Sequence, residues 1–190
     1  MKNLIVFSSP SGGGKSTLVR MILKNFSNFI LSVSATTRSP RENEIDGTHY
    51  YFLASDEFKK MIVNNQLIEW EEIFGNYYGT PISEIQKVAN NNKCLIFDID
   101  VKGAISVKNN FPEETLLIFI APPSNDVLIN RLYGRKTETQ EQIKKRVDRI
   151  NFELSFIDKF DFVVINDDLQ TAFNEIVSII KENCNCFENI

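Results

Sequence analysis

Apolar residues along the chain fall into two recurring patterns. The first is a short unbroken run, Leu4-Ile5-Val6-Phe7, stopped by Ser8 and Ser9. Such a run suits a strand buried on both faces, as in a parallel sheet. Cys94–Ile99 repeats it, as do Thr115–Ala121, stopped by Pro122-Pro123, and Phe160–Ile165. The second pattern is helical spacing. Leu18, Ile22 and Phe26 recur at that interval, with Val19 and Leu23 beside them. Ser124–Tyr133 and Glu138–Ile157 read as helices, the latter with Ile143, Val147, Ile150, Leu154 and Ile157 in one stripe. From about Asp168, a last helix carries Leu169, Phe173, Ile176, Val177 and Ile180 on one side. Strands alternating with helices predict an α/β fold, a parallel sheet covered on both faces.

Residues 34–80 break this rhythm. They are rich in Tyr, Thr, Gly and charge, and predict shorter strands with one helix near Ser55–Asn64, an inserted subdomain rather than sheet core. A length of 190 residues fits one domain carrying such a graft. Hydrophobic residues at 43% and charged residues at 24% exclude general disorder. A net charge of −4 argues against a dedicated binder of nucleic acid or anionic membrane. Within that acidic chain, Arg131–Arg149 holds seven basic residues against three acidic ones, a local +4. Such an island fits a small anionic ligand, or a solvated helix face. No apolar run approaches the ~18 residues of a membrane span. Cys94, Cys184 and Cys186 predict no disulfide framework, which favours a reducing cytoplasm. With His49 the only histidine, Cys184-Asn185-Cys186 reads as a frayed tail rather than a metal site.

The chemistry begins at Ser9-Pro10-Ser11-Gly12-Gly13-Gly14-Lys15-Ser16, between the first strand and the first helix. It matches the phosphate-loop pattern G-x-x-x-x-G-K-[ST] except at its first position, where Ser9 replaces Gly and restricts φ. The glycines let backbone N–H groups wrap closely around a phosphate, and the helix behind presents its positive end. Lys15 reaches the β- and γ-phosphates, and the Ser16 hydroxyl is a ligand for Mg²⁺. Asp98 ends an apolar strand, a place from which a carboxylate orients the metal's hydration shell or simply caps a helix.

A phosphate loop implies a nucleoside triphosphate and leaves the acceptor open. The segment Ser34-Ala35-Thr36-Thr37-Arg38-Ser39-Pro40-Arg41 continues through Glu44, Gly47 and Tyr50 to Phe52. Together with Ile68-Glu69-Trp70, Gly75-Asn76-Tyr77-Tyr78-Gly79-Thr80, Phe97-Asp98-Ile99-Asp100 and Ile165-Asn166-Asp167-Asp168, it closely resembles the guanylate kinase family. The resemblance covers essentially the full length, in the same order. It implies ATP-dependent phosphorylation of GMP to GDP in purine nucleotide metabolism, with Mg²⁺ accompanying ATP, in the cytoplasm. It also implies a P-loop NTPase core with a parallel five-stranded sheet, spanning residues 1–32, 92–124 and 155–190. A GMP-binding subdomain would occupy 33–91 and a small helical lid 125–154.

Carried over by position, the resemblance implies that Arg38, Arg41, Tyr50 and Tyr78 hold the GMP phosphate. Ser34, Glu69 and Thr80 would read the guanine, and Asp98 and Asp100 would lie between GMP and the metal. Ser9 through Ser16 would bind ATP, with Asn166 near the adenine. Lys15, Arg131, Arg135 and Arg146 would surround the transferring phosphoryl group, with Arg38 and Asp98 also catalytic. Ser16 would hold Mg²⁺, with Asp98 acting directly or through water. The implied partners are ATP and GMP, with no nucleic acid and no membrane, in a monomer or homodimer. Two departures concern backbone: Ser9, and Asn43 where a Gly usually precedes Glu44. Asn tolerates a left-handed backbone better than most residues. Thr80 stands where Ser is frequent and keeps the hydroxyl.

The residues alone lead the same way. Arg38 and Arg41 flank Pro40 and can converge on one phosphate, for which Arg is suited by its bidentate geometry. Two phosphate sites are what phosphoryl transfer between nucleotides requires. Two alternatives stay open at this level: a P-loop kinase with another acceptor, and a non-catalytic guanylate-kinase-like module that binds phosphopeptides. Modules of the second kind tend to lose the phosphate loop and lid arginines, which this chain keeps.

Overall fold

The continuous apolar runs assemble into one five-stranded parallel sheet. In the computed structural model, which describes residues 2–73, 75–88, 93–124 and 148–184, β1 (Leu4–Ser8) lies at its centre. It is flanked by β7 (Cys94–Asp98) and β8 (Thr115–Ala121), with β2 (Phe29–Leu31) and β9 (Phe162–Ile165) at the edges. Successive side chains of β1 point to opposite faces, and both faces are apolar. Ile5 and Phe7 pack with Leu18 and Ile22 of α1 (Lys15–Asn25) and Ile176 and Ile180 of α5 (Leu169–Asn183). Leu4 and Val6 pack on the other side with Val101, Ala104 and Val107 of α4 (Val101–Asn110). Each side chain buried this way stabilises the fold by about 1.5–3 kcal/mol, so burial on two faces holds these short strands in place.

The register matters for function. Phe7 pairs with Asp98 on one side and Ile118 on the other. The carboxyl end of β1, which runs into the phosphate loop, therefore lies beside the carboxylate that ends β7.

Residues 34–81 form a second sheet, as their composition suggested. Its strands are β3 (Ala35–Thr36), β4 (Tyr51–Phe52), β5 (Leu67–Ile73) and β6 (Asn76–Pro81), in the order β4-β3-β6-β5. The helix expected near Ser55–Asn64 is α2 (Ser55–Val63), with Glu57 accepting a hydrogen bond from the Ala54 N–H at its start. Its Phe58 is fully buried and stacks on Tyr77 at 5.5 Å between ring centroids. A single turn, α3 (Ser83–Gln86), begins the return to the core.

Several boundaries differ from expectation. The strand expected over Cys94–Ile99 stops at Asp98, because Asp100 caps α4 by accepting from the Gly103 N–H. The strand expected from Phe160 starts at Phe162, after a 3-10 turn over Ile157–Lys159. That turn also shortens the helix expected over Glu138–Ile157, which is helical at 148–154 in its described part. Apart from Ser124, which is not helical, the helix expected over Ser124–Tyr133 lies outside the described residues, as does the lid expected at 125–154 apart from 148–154.

The cysteines need correcting. Cys94 is disulfide-bonded, so thiol usage gives no ground for assigning a reducing compartment. Cys184 is not part of a frayed tail. Its N–H bonds to the Ile180 carbonyl, it pairs with Lys2, and it packs into the core, where burial pushes its thiol up to about 12. Among the described residues, no helix is long and apolar enough to cross a membrane.

Candidate active site

The loop between β1 and α1 is held by its own backbone. The Gly13 N–H donates to the Pro10 carbonyl at 2.9 Å. Gly12 and Gly14 take φ of 90° and 91°, a left-handed backbone that glycine adopts without steric cost. Ser9 does not fall in that region, so the loop starts there without needing glycine. Its hydroxyl turns inward onto the Pro10 carbonyl. A Cβ on Gly13 would press on the Pro10 carbonyl and Ser9 at 3.1 Å.

Lys15 and Ser16, the first residues of α1, both meet Asp98. The Lys15 Nζ lies 2.8 Å from Asp98 Oδ1 and donates to the Ile99 carbonyl at 2.7 Å. The Ser16 hydroxyl donates to Asp98 Oδ2 at 2.9 Å. Adjacent ligands around an octahedral Mg²⁺ stand about 2.9 Å apart, so this pair of hard oxygen donors fits that ion. Among the described residues no cluster of three or more His, Cys, Asp or Glu could hold a metal alone. A cation here would need oxygens from phosphate as well.

Two cavities open at this point. One, of about 580 Å³, runs over the loop from Ser9 to Ser16 and on to Thr17, Arg20, Asp100 and Glu153. The other, of about 400 Å³, lies between the sheets against Ser34, Tyr50, Glu69 and Tyr78. Lys15, Ser16 and Asp100 line both.

The floor of the second cavity is polar and buried. Glu69, on β5, is 7% exposed, not the surface carboxylate it resembles in isolation. The Thr80 hydroxyl donates to its Oε1 at 2.7 Å, and the Ser34 hydroxyl lies 3.2 Å from that of Thr80. Burial pushes the Glu69 carboxyl up to about 7, with the charge of Asp100 adding to the effect and the Thr80 bond opposing it. Gly103 makes room for it: a Cβ there would stand 2.8 Å from Glu69 Oε2.

Arg38 lies 5.4 Å above the ring of Tyr50, which lines this cavity and in turn meets the Tyr78 ring edge-on at 6.2 Å. Glu44 grips the Arg38 guanidinium with two parallel bonds, 2.9 and 3.0 Å long. Those bonds, with the Arg41 N–H, hold the Glu44 carboxyl down at about 2. The Arg41 side chain is exposed, and only its backbone joins the cluster. Asn43 takes φ 68°, so the left-handed turn expected there is present.

Some residues at the site went unread in the sequence. Arg149 donates to Asp100 at 2.6 Å and to Glu153 at 3.1 Å, and stands 3.7 Å from Glu71. Burial and the neighbouring Asp100 push the Glu71 carboxyl up to about 6. Despite its own burial, Asp100 is held below its usual range by Glu71, the Gly103 N–H and Arg149. The basic island offered the one usable signal for Arg149; nothing local marked Gly103, Glu71 or Glu153. Arg131, Arg135 and Arg146 lie outside the described residues. Asn166 is placed against the phosphate loop, its Nδ2 donating to the Gly13 carbonyl at 2.8 Å.

Comparison with known proteins gives one consistent picture. The family described as guanylate kinase matches residues 1–183. A guanylate kinase of Chlorobium luteolum is 47% identical over 178 residues, 94% of this chain and 90% of that protein. A guanylate kinase of Bacteroides fragilis is 44% identical, covering 94% and 88%. The crystal structure of guanylate kinase from Anaplasma phagocytophilum superposes with a TM-score of 0.77 at 30% identity, covering 95% and 85%. By sequence over nearly its whole length, and by fold, this chain belongs to the guanylate kinase family.

Proposed function

We propose that the two cavities hold the two nucleotides of one phosphoryl transfer, ATP over the phosphate loop and GMP above Glu69. The chain is an enzyme of the nucleotide kinase class, and the reaction is ATP-dependent conversion of GMP to GDP. The observation that carries this reading is the shared wall. Only where Lys15, Ser16 and Asp100 face both cavities could a γ-phosphate meet an acceptor phosphate.

A phosphate oxygen of GMP attacks the γ-phosphorus, the bond to the β–γ bridging oxygen breaks, and ADP leaves with that electron pair. Lys15 exchanges Asp98 and the Ile99 carbonyl for phosphoryl oxygens and neutralises the charge that spreads over them. Ser16 and Asp98 would hold Mg²⁺, which when bound screens the β- and γ-phosphate charges. Arg38, held in place by Glu44 and Tyr50, joins Tyr50, Tyr78 and Arg41 in holding the GMP phosphate. Glu69 accepts from guanine N1–H and the N2 amino group, while Ser34, and Thr80 once its hydroxyl turns away from Glu69, donate to the neighbouring acceptors. Adenine offers a lone pair where guanine offers N1–H, so it would leave a buried carboxylate unmatched. Arg131, Arg135 and Arg146 complete the charge around the phosphoryl group from a lid over 125–154. A cytoplasmic location goes with these substrates.

A coupled assay of ADP release with GMP, AMP, CMP and UMP tests the assignment. Turnover with GMP at least ~10⁴-fold more efficient than with AMP is expected. Equal rates with any of the other three would overturn it.

A further inference from the structure

Asn166 stands at the carboxyl end of the edge strand β9, yet only 5% of its surface is exposed. Its backbone N–H donates to the Ala121 carbonyl at 2.8 Å, continuing the ladder in which Ala121 pairs with Ile165. The sheet itself therefore delivers this side chain to the phosphate loop. There the amide N–H₂ end donates to the Gly13 carbonyl at 2.8 Å. The approach is close: a Cβ on Gly14 would collide with the same Nδ2.

The peptide unit from Gly13 to Gly14 is planar and trans, so its C=O and N–H point in opposite directions. Fixing the Gly13 carbonyl on Asn166 fixes the Gly14 N–H on the opposite side. Gly12, Gly13 and Gly14 in succession leave this stretch unusually free to rotate. A flipped peptide would aim a carbonyl dipole, rather than an N–H, at an incoming phosphate. We infer that Asn166 is a positioning residue that sets the orientation of the Gly13–Gly14 peptide and so prepares the loop for phosphate. The inference rests on reading the loop as the triphosphate site, and it gives Asn166 a different task from contact with the adenine. The two tasks separate by ligand. A strut affects every phosphate chain that enters the loop; an adenine contact affects only ligands that carry adenine.

The test uses the full-length protein with Asn166→Ala and Asn166→Ser, whose side chains are too short to reach Gly13. Calorimetry measures binding of inorganic tripolyphosphate, ATP, GTP and GMP to wild type and both variants. Tripolyphosphate and ATP affinities should fall together, by about tenfold, because a backbone carbonyl loses its buried donor. The ratio of ATP to GTP affinity and the affinity for GMP should stay within twofold of wild type. Loss of ATP affinity with tripolyphosphate unchanged would assign Asn166 to the base and overturn the strut. No change in either ligand overturns it too, as does an equal fall in GMP affinity, which marks general damage. Wild-type protein that fails to bind tripolyphosphate would instead overturn the reading of the loop.

Discussion

Glu69 shows how much one side chain owes to its surroundings. In sequence it sits between Ile68 and Trp70, and Trp70 is 47% exposed, so neighbours alone would place Glu69 at the surface. In the fold it is buried, held by Thr80 and backed by Gly103, with its carboxyl pushed up to about 7. The consequence has a definite sign. The folded protein keeps a proton on Glu69 between pH 4.5 and about 7 that the unfolded chain releases. This group therefore lowers stability as pH rises through that window, by about 3 kcal/mol in all. Guanine binding runs the other way, since only the ionised carboxylate accepts from two N–H donors. GMP affinity should fall by up to about tenfold per pH unit below 7. The nucleotide phosphate titrates near pH 6 as well, so the comparison is between wild type and Glu69→Gln. In Glu69→Gln, GMP should bind about 100-fold more weakly at pH 8, and the part of the pH dependence centred near 7 should vanish. Parallel profiles for the two proteins would show that Glu69 does not meet the base. Other residue-scale expectations met the structure directly. Asn43 takes the left-handed turn that its side chain tolerates, and Ser9 needs no left-handed backbone.

At the scale of elements, the buried strands and the long helices were legible because their patterns repeat. β1 and β8 read as unbroken apolar runs, and α5 starts just after Asp168, about where the sequence placed it. β2, with three residues, and α3, with four, are too short to show a period. α4 was missed for another reason. Its sequence, Val101-Lys102-Gly103-Ala104-Ile105-Ser106, mixes β-branched residues with glycine, and its helical state comes from the Asp100 cap and packing on the sheet. Neither acts within a short window of sequence. α3 is nevertheless consequential. Its Glu84 is fully buried and accepts from the Val33 N–H at 2.9 Å and from the Tyr51 hydroxyl at 3.0 Å, with Lys87 paired at 2.7 Å. Val33 lies on the outward path from the core sheet to the second sheet, and Glu84 on the return path. One carboxylate thus clasps both crossings. Glu84→Ala should cost about 3 kcal/mol, because it strips partners from a buried N–H and a hydroxyl at once. Urea unfolding measures this. A loss below 1 kcal/mol would mean that the clasp carries little. The KM for GMP should rise more than the KM for ATP, since the second sheet carries Glu69 and Thr80.

Across the whole molecule, the arrangement that matters is the meeting of two clefts, and no local pattern reveals it. The sequence marked the phosphate loop and the second phosphate site separately, and only the resemblance placed them together. Their meeting depends on register: Phe7 beside Asp98 brings Lys15 and Ser16 onto the end of β7, next to Asp100. Arg149 then closes the acidic side of that junction from a helix distant in sequence. If the clefts are continuous through Lys15, Ser16 and Asp100, one ligand should span them. Adenosine and guanosine joined 5′ to 5′ through a chain of phosphates carries both bases and the phosphates between them. Once its adenosine end is seated, the guanosine end binds as though at millimolar local concentration, so affinity should exceed that of ATP or GMP by about 10²–10⁴-fold. The gain should depend on the number of phosphates and collapse when the chain is too short to reach both bases. Initial-rate inhibition would read this out as competition against ATP and against GMP. If no analogue, whatever its number of phosphates, competes with both, the clefts do not share a phosphate path, and the shared wall loses its role in transfer.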